Sequence, residues 1–433
     1  MNRCEAEDYV YASYLRVERF QSYNSKDAQK RTPQLTKDII DSLNHTPCVS
    51  VTGSKGKGSV ANMISEILQS RYRVGLMTSP HIEAFNERFR VNNIPISDKD
   101  FTDIVTILKE PFDKIEATLP DNICISPMGI QAAIGLLYFN MQNTTYNVFE
   151  LGKGAKYDDV NNIENDYSVI NTIFLEHTRE LGETLEKIAE DKSCIIKKGQ
   201  LGVFVAEQQP EAAIVIEKAA RTQNVPLKMY GRDFYADNIR FTNKGMLFDV
   251  VIGAERFSDL CVPLLGEHQA KNCALALAVC HEILHDWNIS VIKDRLSYLE
   301  WPGRMEIISQ SPLILLDACI NKGSAHNVKQ VLSHLGIDNC VFIVGIPDDK
   351  DYDGVINAII DISREIILTK SQNPHYRFTD LQGTHLQAKG INTITSNSVK
   401  EAIHIAKEYN SPIVILGTTS IISDVKKYMN DVR

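Results

Sequence analysis

Three absences narrow the class of this chain before any motif is considered. Its nine cysteines include no CxxC pair, so free thiols in a reducing compartment are expected. No apolar run approaches the length of a transmembrane helix, and the opening residues Met1-Asn-Arg-Cys-Glu-Ala-Glu-Asp8 carry no apolar signal-peptide core. A cytoplasmic protein without a membrane partner is the expectation. Positive charge is also not in excess. The formal net charge of -9 and a pI near 5.7 exclude a general nucleic-acid binder while leaving room for a local basic pocket. Neither an internal repeat nor a low-complexity linker interrupts the sequence. What remains is ordinary for a soluble enzyme: 433 residues, 43% hydrophobic and 23% charged, enough for two or three domains acting on a small molecule.

The segment Val49-Ser-Val-Thr-Gly-Ser-Lys-Gly-Lys-Gly-Ser59 carries the strongest signal. Val49 and Val51 suit a strand buried on both faces. Gly53, Gly56 and Gly58, with Ser54 and Lys55 between them, allow a tight turn whose N–H groups face inward. Lys57 supplies a point charge for the β- and γ-phosphates, and Ser59 opens a helix whose N-terminus favours anions and whose hydroxyl suits Mg²⁺. Val60, Met63, Ile64 and Ile67 follow at helical spacing. The strand, turn and helix of a phosphate-binding loop are therefore predicted, in a short form with two residues between the first glycine and the Gly-Lys pair. The bland alternative is a Gly/Lys surface turn.

Strands and helices alternate beyond this point. Strands are expected at 72–77, 146–151 and 168–173, and helices at 127–141 and 183–197. This ordering predicts an α/β fold with a mostly parallel sheet. Short alternating runs over 225–265 predict an antiparallel patch on the first domain, and a helix is expected at 269–284. Pro302 and Gly303 punctuate the chain, and strands at 313–316, 340–344, 365–368 and 412–416 begin a fresh cycle. An ATP-binding domain over 1–300 and a smaller Rossmann-like domain over 301–433 are the expected division.

Six motifs in order carry a resemblance. They are Thr52-Gly-Ser-Lys-Gly-Lys-Gly-Ser59; Thr78-Ser-Pro-His-Ile-Glu-Ala-Phe-Asn-Glu-Arg88; Glu150-Leu-Gly-Lys-Gly154; Leu175-Glu-His177 leading into Leu181-Gly-Glu-Thr-Leu-Glu-Lys-Ile-Ala189; Gly266-Glu-His-Gln-Ala-Lys-Asn272; and Trp301-Pro-Gly-Arg304. From about residue 50 onward the chain resembles folylpolyglutamate synthase and dihydrofolate synthase, a branch of the Mur ligase superfamily. The resemblance implies an ADP-forming ligase: ATP phosphorylates a carboxylate, and an amino acid's amine attacks the acyl phosphate to give an amide.

It also implies roles. Lys57 compensates phosphate charge. Ser79 and Glu150 hold a first Mg²⁺ and His177 a second, Gln269 and Asn272 help bind the adenine end of ATP, and Arg304 reaches the phosphates from the domain junction. Asp317 belongs to the same nucleotide set. Lys192 is implied to be carbamylated, turning a cation into a carboxylate-like group. From the residues alone, Ser79 reads equally as a Ser-Pro turn, His177 as a helix-capping or surface histidine, Gln269 and Asn272 as a helix-start polar pair, Arg304 as a surface arginine, and Lys192 as a solvated lysine on a helix whose core face is Leu185, Ile188, Ala189 and Ile195.

The substrate side departs from the family pattern. Asp317-Ala-Cys-Ile-Asn-Lys322 stands where an Asp-Gly-Ala-His-Asn-Pro segment is usual, so Ile320 replaces a histidine associated with the incoming amino acid. Asp349-Lys-Asp351 matches, and Gly417-Thr418 replaces a Gly-Ser. Met128 and Gly129 occupy the place of a Phe-Glu pair, Lys55 replaces a common Asn, and a polar stretch over 21–31 replaces an apolar lead-in. Three readings follow: a ligase adding glutamate to folate or dihydropteroate, a Mur-type amide ligase acting on another carboxylate and amine, or a nucleotide-binding regulator without catalysis. Two metal positions argue against the last. A monomer is expected.

Overall fold

In the computed structural model, which describes residues 1–18, 32–373, 377–379 and 381–431, the strands assemble into three sheets. The polar stretch 21–31 lies outside the described residues. The first sheet takes β1 (Cys48–Thr52), β2 (Val74–Met77), β3 (Phe89–Val91), β4 (Ile94–Pro95), β5 (Tyr146–Glu150), β6 (Tyr167–Ile170), β7 (Gly202–Val205) and β8 (Leu227–Met229). Their order is β4-β3-β2-β5-β1-β6-β7-β8. β2, β5, β1, β6, β7 and β8 run parallel, and only the β2–β3 and β3–β4 pairings are antiparallel. β1, β2, β5 and β7 are buried at every residue, as expected where helices cover both faces of a parallel sheet.

The helices before and within this unit are α1 (Arg3–Glu18), α2 (Gln34–Leu43), α3 (Lys57–Leu68), α4 (Asp98–Glu116), α5 (Pro127–Met141), α6 (Thr178–Leu181), α7 (Leu185–Lys192) and α8 (Pro210–Gln223). One face of the sheet packs a core that includes Phe85, Phe89, Phe101, Phe139 and Phe149. The opposite face packs α3 and α9 (Glu267–Ile283) together with the antiparallel sheet of β9 (Phe234–Thr242), β10 (Gly245–Ile252) and β11 (Glu255–Val262). That sheet answers to the antiparallel patch expected over 225–265, except that β8 belongs to the parallel sheet. α10 (Ile289–Ser297) closes this part.

The third sheet is built from β12 (Glu306–Gln310), β13 (Leu313–Asp317), β14 (Cys340–Gly345), β15 (Ser363–Leu368), β16 (Ile394–Thr395) and β17 (Ile413–Gly417). Their order is β12-β13-β17-β14-β15-β16, parallel except for β12. α11 (Lys322–His334), α12 (Tyr352–Ile359), α13 (Leu381–Ala388), α14 (Val399–Lys407) and α15 (Thr419–Asp431) accompany it, with an apolar core on each face.

Two local outcomes differ from the pattern reading. The helix expected over 183–197 ends at Lys192 and tightens into a short 3-10 turn over Ser193–Ile195, because the chain must return to the sheet at β7. The strand expected from 72 begins at Val74: Tyr72 N–H still bonds back to Leu68 O, so this residue belongs to the turn that follows α3. Among the described residues no helix is long and apolar enough to cross a membrane.

Candidate active site

The loop between β1 and α3 turns at Gly56, whose φ of 78° lies in the left-handed region that glycine reaches without a Cβ penalty. A Cβ there would also strike the side-chain amides of Asn171 and Asn272. Those amides form a relay: Asn171 Nδ2 donates to Asn272 Oδ1 at 3.1 Å, and Asn272 Nδ2 donates to Gln269 Oε1 at 3.1 Å. Gln269 and Asn272 share a face on the first turns of α9, as residues three apart do. They are thereby brought against the phosphate loop. Asn171, at the end of β6, was not singled out from the sequence. Its only signal was a polar residue directly after a buried strand.

Two lysines converge on one carbonyl. Lys57 Nζ donates to Gly53 O at 3.1 Å, and Lys192 Nζ donates to the same oxygen at 2.9 Å and to Lys153 O at 2.6 Å. The Glu176 carboxylate lies 3.0 Å from Lys192 Nζ as an ion-pair partner. Lys192 has no exposed surface, which overturns the reading of a solvated helix lysine. Burial is the main force lowering its pKa to about 8, and Lys57 adds to it. A charge that deep forfeits hydration, which shifts the balance toward the neutral amine. The loop Glu150-Leu-Gly-Lys-Gly154 that supplies the Lys153 carbonyl is itself held: Asp158 Oδ2 accepts from Gly152 N at 2.6 Å, and Asp191 Oδ1 accepts from Ala155 N at 2.8 Å.

Glu150 ends β5 fully inside the protein. Ser79 N–H donates to its Oε2 at 2.9 Å, and among the described residues no lysine, arginine or histidine forms an ion pair with it. Burial raises its pKa, against the pull of Lys57. Ser59 is buried on the first turn of α3. A Cβ at Gly58 would come within 3.3 Å of Glu150 Oε2 and 2.9 Å of the Trp301 ring. A buried carboxylate with no ion-pair partner among the described residues, held by the Ser79 backbone, fits a hard cation that keeps waters and phosphate oxygens, as Mg²⁺ does. Among the described residues no group of three His, Cys, Asp or Glu side chains converges to make a richer protein cage.

His177 sits in the left-handed region (φ 45°) just before α6. Burial lowers its pKa to about 3, with Lys153, Lys350, Lys192 and Lys57 acting in the same direction. The neutral imidazole is therefore available as a ligand or acceptor. Lys350 arrives from the loop after β14, so this basic pocket draws on both ends of the chain.

Ser79, Glu150, Gly58 and Arg304 line one cleft, together with His81, Arg90, Trp301 and Thr419. Arg304 donates to Gly303 O at 3.0 Å. Arg90 lies over the Trp301 ring, 5.2 Å from its centroid, so the junction residues are clamped over α3. Asp317 is brought to the junction but is committed: its Oδ2 accepts from Met305 N at 2.9 Å. Lys55 leaves the phosphate loop altogether and bonds to Ser324 Oγ on α11. His268, half-buried and with its pKa lowered to about 3 mainly by loss of hydration, packs on Gly266.

The departures on the substrate side have structural settings. A Cβ at Gly129 would come 2.6 Å from Asp159 Oδ1 and from Thr36 Cγ2, and Thr36 Oγ1 donates to Asp159 Oδ1 at 2.8 Å. A glutamate has no room there. Ile320 immediately precedes Asn321, whose side chain accepts from Ser324 N at 2.9 Å and caps α11.

Residues 51–280 match the Mur ligase middle domain. The chain is 32% identical over 309 residues to a folylpolyglutamate synthase of Lacticaseibacillus casei, covering 70% of this chain and 72% of that relative. It is 30% identical over 389 residues to a dihydrofolate synthase/folylpolyglutamate synthase of Bacillus subtilis, covering 87% and 89%. A solved FPGS–AMPPCP–folate complex superimposes with a TM-score of 0.83 at 26% identity, over 99% of this chain and all of that one (100%).

Proposed function

The chain belongs to the folylpolyglutamate synthase/dihydrofolate synthase branch of the Mur ligases, and from that premise we propose that it uses ATP to join glutamate to the carboxylate of a folate or dihydropteroate. The observation that carries the reading is that Ser79, Glu150 and Arg304 line one cleft while Lys57 and Lys192 meet at the Gly53 carbonyl of the phosphate loop. Residues 1–300 would bind ATP and residues 301–433 would supply the other wall. Both walls come from one chain, which suits a monomer, and free buried thiols suit the cytoplasm.

Transfer of a γ-phosphoryl group is chiefly positioning and charge neutralisation. Gly53–Ser59 would wrap the phosphates, Lys57 would exchange the Gly53 carbonyl for a phosphate oxygen, and Arg304 would approach from the junction. Ser59, Ser79 and Glu150 would hold Mg²⁺, with His177 at a second position. The bound metal would neutralise phosphate charge. The Asn171, Asn272 and Gln269 relay would fix the wall nearest the nucleotide.

Lys192 is the place for a carbamate. Its amine, held near 8, has a neutral fraction able to attack the carbon of CO₂ with loss of one proton, leaving an anion. The present surround of two carbonyls and Glu176 is made of acceptors and suits an ammonium, so the anionic form requires those contacts to be remade about a cation. Labelling with carbon-13 bicarbonate should give a carbamate resonance lost in Lys192→Ala, and no resonance in the wild type would refute it.

The test of the function is ADP release with ATP and Mg²⁺ across dihydropteroate, folates and unrelated carboxylates, each paired with a panel of amino acids. Release that requires both a pterin-bearing acid and glutamate is expected. Stimulation by a different carboxylate alone would move the chain to another Mur-type specificity.

A further inference from the structure

The loop that carries Ser79 also carries a histidine whose tautomer is set by its neighbours. Arg88 Nε donates to His81 Nδ1 at 2.9 Å, and an arginine has donors only. Nδ1 is therefore the acceptor and the ring proton resides on Nε2. Arg88 is aimed in turn: its NH1 donates to Gln131 Oε1 at 2.6 Å, and Gln131 Nε2 donates to Pro127 O at 3.0 Å. Gln131 is buried inside α5. The imidazole also stands edge-on to Phe85, with ring centroids 5.6 Å apart. Arg88 and Phe85 together hold one ring in one orientation.

The other side of that ring is free. His81 lines the cleft with Ser79, Glu150 and Arg304, and its Nε2 has no hydrogen-bond partner among the described residues. Glu87, which lines the same cleft, does not take it up. Glu87 accepts instead from the N–H groups of Ile82, Glu83 and Ala84, at 3.0, 2.8 and 2.8 Å. A histidine serving only the core would use both nitrogens. This one uses Nδ1 for orientation and leaves an N–H on the cleft, two residues from Ser79.

We propose that His81 orients the acid substrate, its Nε2–H donating to the carboxylate oxygen that does not attack phosphorus. The proposal rests on the ligase reading above. A reacting carboxylate must lie about 3–3.5 Å from the γ-phosphorus in an aligned pose, and His81 lines the same cleft as Ser79, Glu150 and Arg304, so its ring borders the space such a carboxylate would enter. A neutral donor suits the task, because it fixes the carboxylate without an opposing full charge that would blunt its nucleophilicity.

The experiment measures binding of two acids and their carboxamides to the protein loaded with Mg²⁺ and AMPPCP. The pairs are tetrahydrofolate with its γ-carboxamide and dihydropteroate with its carboxamide. Wild type should prefer a carboxylate by about ten- to a hundredfold, the range for a hydrogen bond to a charged group. H81F keeps a ring against Phe85 and loses both nitrogens; it should bind carboxylate and carboxamide equally. H81Q keeps an N–H near the Nε2 position and should retain most of the preference. H81L serves if H81F loses AMPPCP binding and so fails as a folded control. Retained discrimination in the folded H81F or H81L protein, or none in wild type, overturns the assignment of His81. Failure of wild type to bind either acid while still binding AMPPCP overturns the folate reading instead, and this proposal with it.

Discussion

At the residue scale, Glu150 and Lys197 show two uses of a charge drawn out of water, the first buried and the second half-buried. Glu150 has one backbone donor and no ion-pair partner among the described residues, so its carboxylate waits for a cation. Glu150→Ala should leave the fold standing and lower the rate of ADP formation roughly a hundredfold or more, since charge compensation at the phosphates is lost; steady-state ADP release measures it. Lys197 is structural. Its Nζ donates to Ile163 O at 2.7 Å and to Asn161 O at 2.5 Å, and burial lowers its pKa to about 8 from an ordinary 10.5. Between those values the unfolded chain holds the proton more often than the folded one, so this group's contribution to stability rises with pH across that window. Below about 8 both states are protonated and the penalty is fully present. Denaturation of wild type and Lys197→Met from pH 7 to 10.5 should show their stability difference shifting toward wild type as pH rises.

At the scale of elements, the sequence made some pieces plain and hid others for physical reasons. The helix over Pro127–Met141 is legible to the residue because Pro127 occupies its first turn after Ser126, whose side chain accepts from Met128 N. The phosphate loop is legible because its glycines sit between a buried strand and an apolar helix. α1, α2 and α4 were not predicted. α1 is polar along most of its length and earns its place through tertiary contacts such as Arg16 with Glu116 at 2.8 Å. The depth of Lys192 was equally hidden, since helical periodicity shows which face a residue takes but not how far another loop folds over it. Gly129 became intelligible only with α2 laid across α5. Gly129→Glu, which restores the family's residue, should destabilise by about 1–3 kcal/mol through overpacking against Thr36 and Asp159, read as a lower midpoint in chemical denaturation.

At the scale of the whole molecule, α11 is docked on the ATP-binding part at both ends. Lys55 meets Ser324 near its start, and Phe241 on β9 stacks on His334 near its finish, with centroids 3.8 Å apart and planes within 19°. The junction between them holds Gly303 against Ile82 and Ile422. These contacts fix the second wall of the cleft relative to the first. Phe241→Ala should remove about 1 kcal/mol of ring stacking, leave AMPPCP binding intact, and raise the KM for the acid or amino acid whose site needs both walls.

The cleft would make an acyl phosphate from a folate-type carboxylate and pass the acyl group to glutamate, releasing phosphate. The decisive measurement labels the substrate's carboxylate with heavy oxygen and follows the phosphate released during turnover by mass spectrometry. Each phosphate formed should carry one labelled oxygen, transferred from the carboxylate, in step with amide formation. Phosphate that contains only unlabelled oxygen while amide accumulates would contradict it.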